Sequence, residues 1–213
     1  MGSDRPKQYL SLGSLTLLER SVACLLQDAR VERVLVVVAP GDPRAHALQL
    51  PSRCRIAGVG AATRPRSVLQ GLRELAREAQ PEDRVLVHDA ARPCLPAADL
   101  TALLDAAGAE EEGGLLAAPM GDTIKRSQDG RACATVDRSH LWRALTPQLF
   151  PLRLLLDALS RPSDPDGFTD ESSAVEALGL RPRIVPGSAE NIKVTVARDL
   201  ELAEAILRRQ GRW

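Results

Sequence analysis

Val85-Leu86-Val87-His88-Asp89-Ala90-Ala91-Arg92-Pro93 decides how the chain is read. Three apolar residues, two of them β-branched, make a short strand of the kind buried inside a parallel sheet, and the sequence turns polar abruptly at its carboxyl end. Open α/β sheets bind ligands outside that end of their strands. On this reading Asp89 projects an oxygen ligand into the crevice, Ala90 and Ala91 let a substrate approach the backbone, and Arg92 adds a fixed positive charge before Pro93 stops the strand. The spacing fits a Mg²⁺-assisted site for a phosphorylated ligand. It fits equally well a turn closed by a salt bridge.

Upstream, Gly60-Ala61-Ala62-Thr63-Arg64-Pro65-Arg66-Ser67 runs into a helix with Val68, Leu69, Leu72, Leu75 and Ala76 on one face. A small-residue loop at a helix start offers free N–H groups and the positive end of the helix dipole. It is a candidate nucleotide-binding loop, with solvated arginines as the equal alternative. Before it stand a brief strand at Arg55–Val59, a short helix or loop at 44–50, and a strand at Val34–Ala39 ended by Pro40-Gly41-Asp42. Apolar residues at helical spacing predict a helix over Thr16–Ala29, with Thr16 as its cap. Residues 1–13 are polar and turn-rich, and carry no strand. Downstream comes a helix at Ala97–Ala107, so strands and helices alternate as in a parallel sheet. The fold class is α/β.

The alternation breaks between Gly113 and Phe150. Leu115–Pro119 reads as a strand, but Asp122–Arg126 and Ala132–Arg138 then flank Ser127-Gln128-Asp129-Gly130, and Asp-Gly between extended runs is a hairpin signal. A two-stranded arm is marginal in isolation, so it is expected to pack on another subunit. The chain returns through Trp142–Pro147 to a helix at Leu152–Ser160. Thr169-Asp170-Glu171 caps a further helix ending near Gly179. Ile184–Val185 and Ile192–Val194 read as strands, and Ala197–Arg209 as the closing helix. Its Asp199 and Glu201 at the start and Arg208 and Arg209 at the end match the helix dipole.

Composition narrows the class. The 213 residues include 28 Lys+Arg and 28 Asp+Glu, so no global basic field of the kind that draws nucleic acid is present and any anion site must be local. The longest apolar runs, Val34–Ala39 and Gly114–Pro119, are far short of a membrane span, and no signal peptide opens the chain. A cytoplasmic protein is expected. Cys24, Cys54, Cys94 and Cys133 are widely spaced, without a zinc pattern, and read as small buried hydrophobes. His46, His88 and His140 are scattered too. His88 reads as a structural hydrogen-bonder, because acid–base work needs a partner that the sequence does not place beside it.

Six motifs occur in order: Pro6-Lys7-Gln8-Tyr9-Leu10, His88-Asp89-Ala90-Ala91-Arg92-Pro93, Asp122-Thr123-Ile124-Lys125, Thr135-Val136-Asp137-Arg138, Leu145-Thr146-Pro147-Gln148 and Asn191-Ile192-Lys193-Val194-Thr195. Together they resemble the bacterial 2-C-methyl-D-erythritol 4-phosphate cytidylyltransferase family of the non-mevalonate isoprenoid pathway, over essentially the whole chain. The resemblance implies a Rossmann-like, mostly parallel sheet flanked by helices, in a single nucleotidyltransferase domain over 1–213. It implies a protruding hairpin arm at about 119–147 that clasps a twofold-related subunit to form a homodimer. It also implies transfer of CMP from CTP to a sugar-alcohol phosphate, dependent on Mg²⁺ or another divalent cation, with no nucleic-acid or membrane partner. Carried over by position, Lys7 stabilises charge on the CTP phosphates, Ser67 touches the cytosine, and Asp89, with Ala90 beside it, lies by the ribose and the metal. Arg138 and Lys193 position the phosphate of the second substrate. Thr123 and Thr146 line it, Thr123 from the arm, and Arg92 is either a binding or a structural residue.

The chemistry needs no protein base. A phosphate monoester with a second pKa of about 6 is mostly dianionic at neutral pH, so it can attack the α-phosphorus directly and expel pyrophosphate. The enzyme must supply alignment and positive charge. Two departures from the family pattern stand out. Gly60-Ala61-Ala62 replaces the family's Gly-Gly-Asp, which bears on the contact with the base. The chain also starts where the family's glycine-rich Ala-Ala-Gly-x-Gly-x-Arg-Met loop ends, which leads to the expectation that it aggregates or turns over CTP poorly as written. Two alternatives therefore accompany the main reading: a cytidylyltransferase for a pentitol phosphate such as ribitol 5-phosphate, and a catalytically impaired homologue.

Overall fold

The computed structural model describes residues 6–161 and 167–213. A 3₁₀ turn at Lys7–Tyr9 leads into a hairpin of β1 (Ser11–Leu12) and β2 (Leu15–Thr16), closed at Gly13, whose φ of 72° lies in the left-handed region that glycine favours. Helix α1 (Leu17–Leu25) begins in a capping box: Glu19 N–H donates to Thr16 Oγ1, and the Thr16 N–H donates to the Glu19 carboxylate. Then come β3 (Val34–Val37), β4 (Cys54–Ala57), α2 (Arg64–Leu75), β5 (Arg84–Val87), α3 (Ala97–Ala107) and β6 (Gly114–Pro119). The arm is β7 (Ile124–Gln128) with β8 (Arg131–Val136), and the chain re-enters the sheet as β9 (Trp142–Pro151). Helices α4 (Leu152–Ser160) and α5 (Glu171–Glu176), strand β10 (Arg183–Pro186) and helix α6 (Arg198–Arg209) complete it.

The main sheet has the order β10-β6-β9-β5. β10 is parallel to β6, and β9 runs antiparallel to both β6 and β5, so β5, β6 and β10 point the same way. β3 and β4 form a separate parallel pair. The period-2 alternation of strand side chains builds the two layers. From β5, Leu86 packs with α1 and α3 around Leu100, Leu103 and Leu149, while Val85 and Val87 pack on the opposite face with α2, α4 and α5 around Leu72, Phe150 and Leu155. Helix α6 closes a further cluster of Leu12, Leu17, Cys94, Val194 and Leu207 beneath the turn that follows β5.

Several expectations need correcting. Against the expectation of no strand over residues 1–13, β1 lies at Ser11–Leu12; residues 1–5 of that stretch lie outside the described residues. The Trp142–Pro147 return is the first part of β9, a strand between β6 and β5, so the arm leaves the sheet after Pro119 and rejoins it at Trp142. Its signal is hidden because residues 145–151 are buried on both faces and do not alternate. Ile192–Val194 forms no strand; it runs as a strap whose Val194 N–H donates to the Ala91 carbonyl at 2.8 Å. Cys133, expected to be buried, is exposed on β8.

Candidate active site

The turn after β5 is fixed by hydrogen bonds that leave its carboxylate as the projecting group. Asp89 N–H donates to Thr146 Oγ1 at 3.0 Å, and that hydroxyl lies 3.0 Å from His88 Nδ1. The Arg92 carbonyl can only accept, so His88 Nε2–H donates to it at 3.0 Å, and Nδ1, bare in the neutral ring, accepts from the Thr146 hydroxyl. Burial of His88 pushes its pKa down to about 4, so the ring is neutral and structural, as its sequence context implies. Ser21 Oγ donates to the Ala90 carbonyl at 3.0 Å. Ala90 is exposed and open to a ligand; Ala91, expected to share that role, is buried with its carbonyl taken by the strap.

Asp89 is ringed by cations. Arg64 Nε donates to Oδ1 at 3.0 Å, and Lys193 Nζ and Arg92 Nε reach Oδ2 at 3.0 and 3.3 Å. Burial alone would raise the Asp89 carboxyl, but Arg64, Lys193 and Arg92 hold it well below the usual carboxylate range. Lys7 stands close by with its Nζ on the Val194 carbonyl at 3.0 Å. Burial, and then the Lys193 charge, lower the Lys7 pKa. Arg92 also donates to the Asn191 carbonyl at 2.7 Å, so it both pairs with Asp89 and ties down the strap that carries Lys193. Lys7, Asp89, Ala90, Arg92, Thr146 and Lys193 are thus gathered at one place. Four cations face the Asp89 and Glu171 carboxylates, which makes the place an anion site.

Two expected residue groups stand differently. Ser67 sits inside α2, where its hydroxyl lies 2.8 Å from the Thr63 carbonyl and accepts from Ala61 N–H at 2.9 Å, closing the loop ahead of the helix. That loop is held against β3: Gly60 N–H donates to the Val38 carbonyl at 2.8 Å, and a Cβ at Gly60 would meet that oxygen at 2.7 Å. Thr123 and Arg138 are exposed on and beside the arm, with Arg138 donating to the Gly121 carbonyl, and their hydrogen bonds do not reach the Asp89 cluster. Sequence reading missed Arg64, Glu171 and Ser21, which lie far from Asp89 in sequence.

Among the described residues no three His, Cys, Asp or Glu side chains stand together to cage a metal ion. A single carboxylate suits Mg²⁺ nonetheless, since that ion keeps several waters and is commonly held by one or two carboxylates plus substrate phosphates. A groove of about 440 Å³ lies elsewhere, over the face of β6, β9 and β10 between Trp142, Ile184 and α5. Its lining carries one cation, Arg181, against the four gathered around Asp89.

An α/β sheet that closes one carboxylate inside a ring of cations at its strand ends defines an enzyme site for phosphorylated substrates. Known proteins narrow that class. Residues 1–209 match the model of the family described as 2-C-methyl-D-erythritol 4-phosphate cytidylyltransferase. The protein of that name from Klebsiella pneumoniae subsp. pneumoniae is 51% identical over 213 aligned residues, covering 98% of this chain and 89% of the relative. That of Pectobacterium atrosepticum is 49% identical, covering 98% and 90%. A crystal structure of 4-diphosphocytidyl-2C-methyl-D-erythritol synthase superposes with a TM-score of 0.88 at 42% identity, covering 95% of each chain. The 2-C-methyl-D-erythritol 4-phosphate cytidylyltransferase of Thermus thermophilus gives 0.77 at 31%, covering 95% of this chain and 94% of that one. The chain belongs to the 2-C-methyl-D-erythritol 4-phosphate cytidylyltransferase family.

Proposed function

We propose that the protein transfers CMP from CTP to 2-C-methyl-D-erythritol 4-phosphate and releases pyrophosphate, in isoprenoid precursor biosynthesis. Membership of the family supports the reaction, and the observation that carries it to this chain is the convergence of Lys7, Arg64, Arg92 and Lys193 on the Asp89 end of β5. The sugar phosphate attacks as its dianion, in line with the departing pyrophosphate, so the barrier lies in bringing two anions together and holding the charge of the transition state. Lys7, partly desolvated and held by the Val194 carbonyl, bears on the triphosphate. Lys193, on the exposed side of the cluster, meets the second phosphate. Exposed Ala90 leaves room for the nucleotide, and Thr146 sets the backbone from which Asp89 projects. A Mg²⁺ or similar ion, held by Asp89 and the phosphates, would neutralise phosphate charge.

The dimer reading rests on the arm. Among the described residues β7 and β8 pair only with each other, and the hairpin is exposed almost throughout. In the proposed homodimer each arm, between Pro119 and Trp142, brings Thr123 and Arg138 to the partner's second-substrate site, with Ser67 serving the cytosine, within a single domain over 1–213. Four free cysteines fit a reducing, cytoplasmic setting, and no helix among the described residues is long and apolar enough to cross a membrane. The test is pyrophosphate release from CTP with 2-C-methyl-D-erythritol 4-phosphate and, separately, with ribitol 5-phosphate. Turnover with the first and little with the second is expected; the reverse preference would move the protein to pentitol phosphates.

A further inference from the structure

Arg64 and Glu171 open helices α2 and α5 and stand 107 positions apart in sequence. The Arg64 guanidinium grips the carboxylate of Glu171 with two prongs, Nη1 to Oε1 at 2.7 Å and Nη2 to Oε2 at 3.1 Å, while its Nε donates to Asp89 Oδ1 at 3.0 Å. Glu171 is only 1% exposed, and its burial pushes its pKa up against the pull of Arg64. Burying such a pair costs desolvation that its attraction only partly offsets, so stability is a poor reason for it to be there. What the fork does supply is fixed geometry.

That geometry converges on Asp89. Among the described residues Arg64 alone addresses Oδ1; Arg92 and the half-exposed Lys193 share Oδ2. Glu171 in turn is placed by strand β9. The side chain of Gln148 accepts from Ser172 N–H at 2.8 Å and donates to Asp170 at 2.9 Å, fixing the start of α5. Two residues earlier on the same strand, Thr146 accepts the Asp89 amide. Asp89 is therefore held twice from β9, by its backbone through Thr146 and by its carboxylate through Gln148, α5, Glu171 and Arg64.

We propose that Arg64 and Glu171 are positioning residues for cytidylyl transfer: Glu171 holds the Arg64 fork, and Arg64 sets the rotation of the Asp89 carboxylate toward the substrate. The inference rests on the proposed role of Asp89 beside the nucleotide. Its signature is coupling, because a residue that acts through Asp89 has little left to lose once the carboxylate is gone.

The experiment is a set of double-mutant cycles on steady-state kinetics and on CTP binding by calorimetry, with and without Mg²⁺. Arg64→Lys and Glu171→Gln are each expected to lower kcat by about tenfold or more, since small misplacements at a reacting centre are costly. KM for both substrates should stay within about threefold. In an Asp89→Asn background the same two changes should add less than about twofold. In calorimetry the gain in CTP affinity on adding Mg²⁺ should shrink in Arg64→Lys as it does in Asp89→Asn. Arg64→Lys has the greater chance of misfolding, and Glu171→Gln, which keeps the shape of the side chain, carries the cycle if it does. Full, independent losses in the Asp89→Asn background, an unchanged kcat, or the failure of both variants to fold would make the pair a structural tie and overturn the proposal. A wild-type protein that releases no pyrophosphate would instead overturn the proposed function itself.

Discussion

At the carboxyl end of β5, Asp89 is held through its amide by Thr146 and through its carboxylate by Arg64, Arg92 and Lys193, with helices packed beneath. On the β7–β8 arm, Thr123 and Arg138 face outward from a hairpin that bonds mainly to itself. Both regions carry residues of the same expected site, yet only the first is assembled within one chain. Under the proposed function, the charges assigned to the transition state are held within one subunit, while those on the arm are placed by the proposed partner subunit. Mutations and pH changes should therefore act differently on the residues held within the subunit and on those carried by the arm.

The largest expected effect is on the residues held within the subunit. His88 keeps its ring neutral in the fold, with a pKa pushed from 6.5 to about 4, so as pH falls through this window the unfolded chain takes up the proton first. Stability should drop by up to about 3 kcal/mol between those values and level off below them. Urea unfolding against pH reads this directly, and His88→Asn should flatten the curve; an equally steep curve in the variant would remove His88 from the acid response.

Next comes Lys7→Ala, expected to lower kcat by about 10²-fold with a smaller change in KM for CTP, as befits charge held for the transition state. Normal kcat with a raised KM would reduce Lys7 to ground-state binding. On the arm, Arg138→Ala should raise KM for the sugar phosphate by about tenfold and leave CTP nearly untouched, with Lys193→Ala showing the same preference. If both lose CTP binding equally, the division of labour is wrong. The smallest effect on the fold belongs to the arm tip. Shortening the turn at Asp129-Gly130 should leave the melting temperature almost unchanged while sedimentation shifts from dimer toward monomer, and a fully active monomer would take the arm out of the reaction.

The same contrast explains what can be read from sequence. Helices α3 and α4 have the expected bounds, Ala97–Ala107 and Leu152–Ser160, because apolar spacing and flanking prolines are local signals. The Asp129-Gly130 turn is equally local, with positive φ at both residues. β9 is hidden because Pro147 and Pro151 interrupt a strand buried on both faces, and Ile192–Val194 has a strand's composition but no partner strand. At the site, the motifs point to Lys7, Asp89, Thr146 and Lys193, which do meet. Arg64 and Glu171 carry no such mark. Arg64 lies in a loop that reads equally as a nucleotide-binding loop or as one with solvated arginines, and Glu171 reads as a helix-start acid; only the folded packing of α2, α4 and α5 brings them to Asp89.

The proposed crossing of the arm is tested most directly by mixing two crippled subunits. Lys7→Ala and Arg138→Ala, each strongly impaired alone when the sugar phosphate is kept well below its KM, are unfolded together and refolded as an equal mixture. If each arm serves its partner's site, every mixed dimer contains one site with both Lys7 and Arg138 intact, and activity should recover to about a quarter of the wild-type level for random pairing in a twofold dimer. If the arm folds back to serve its own subunit, both residues are never intact in one site, and the mixture would be no more active than the average of its two parents.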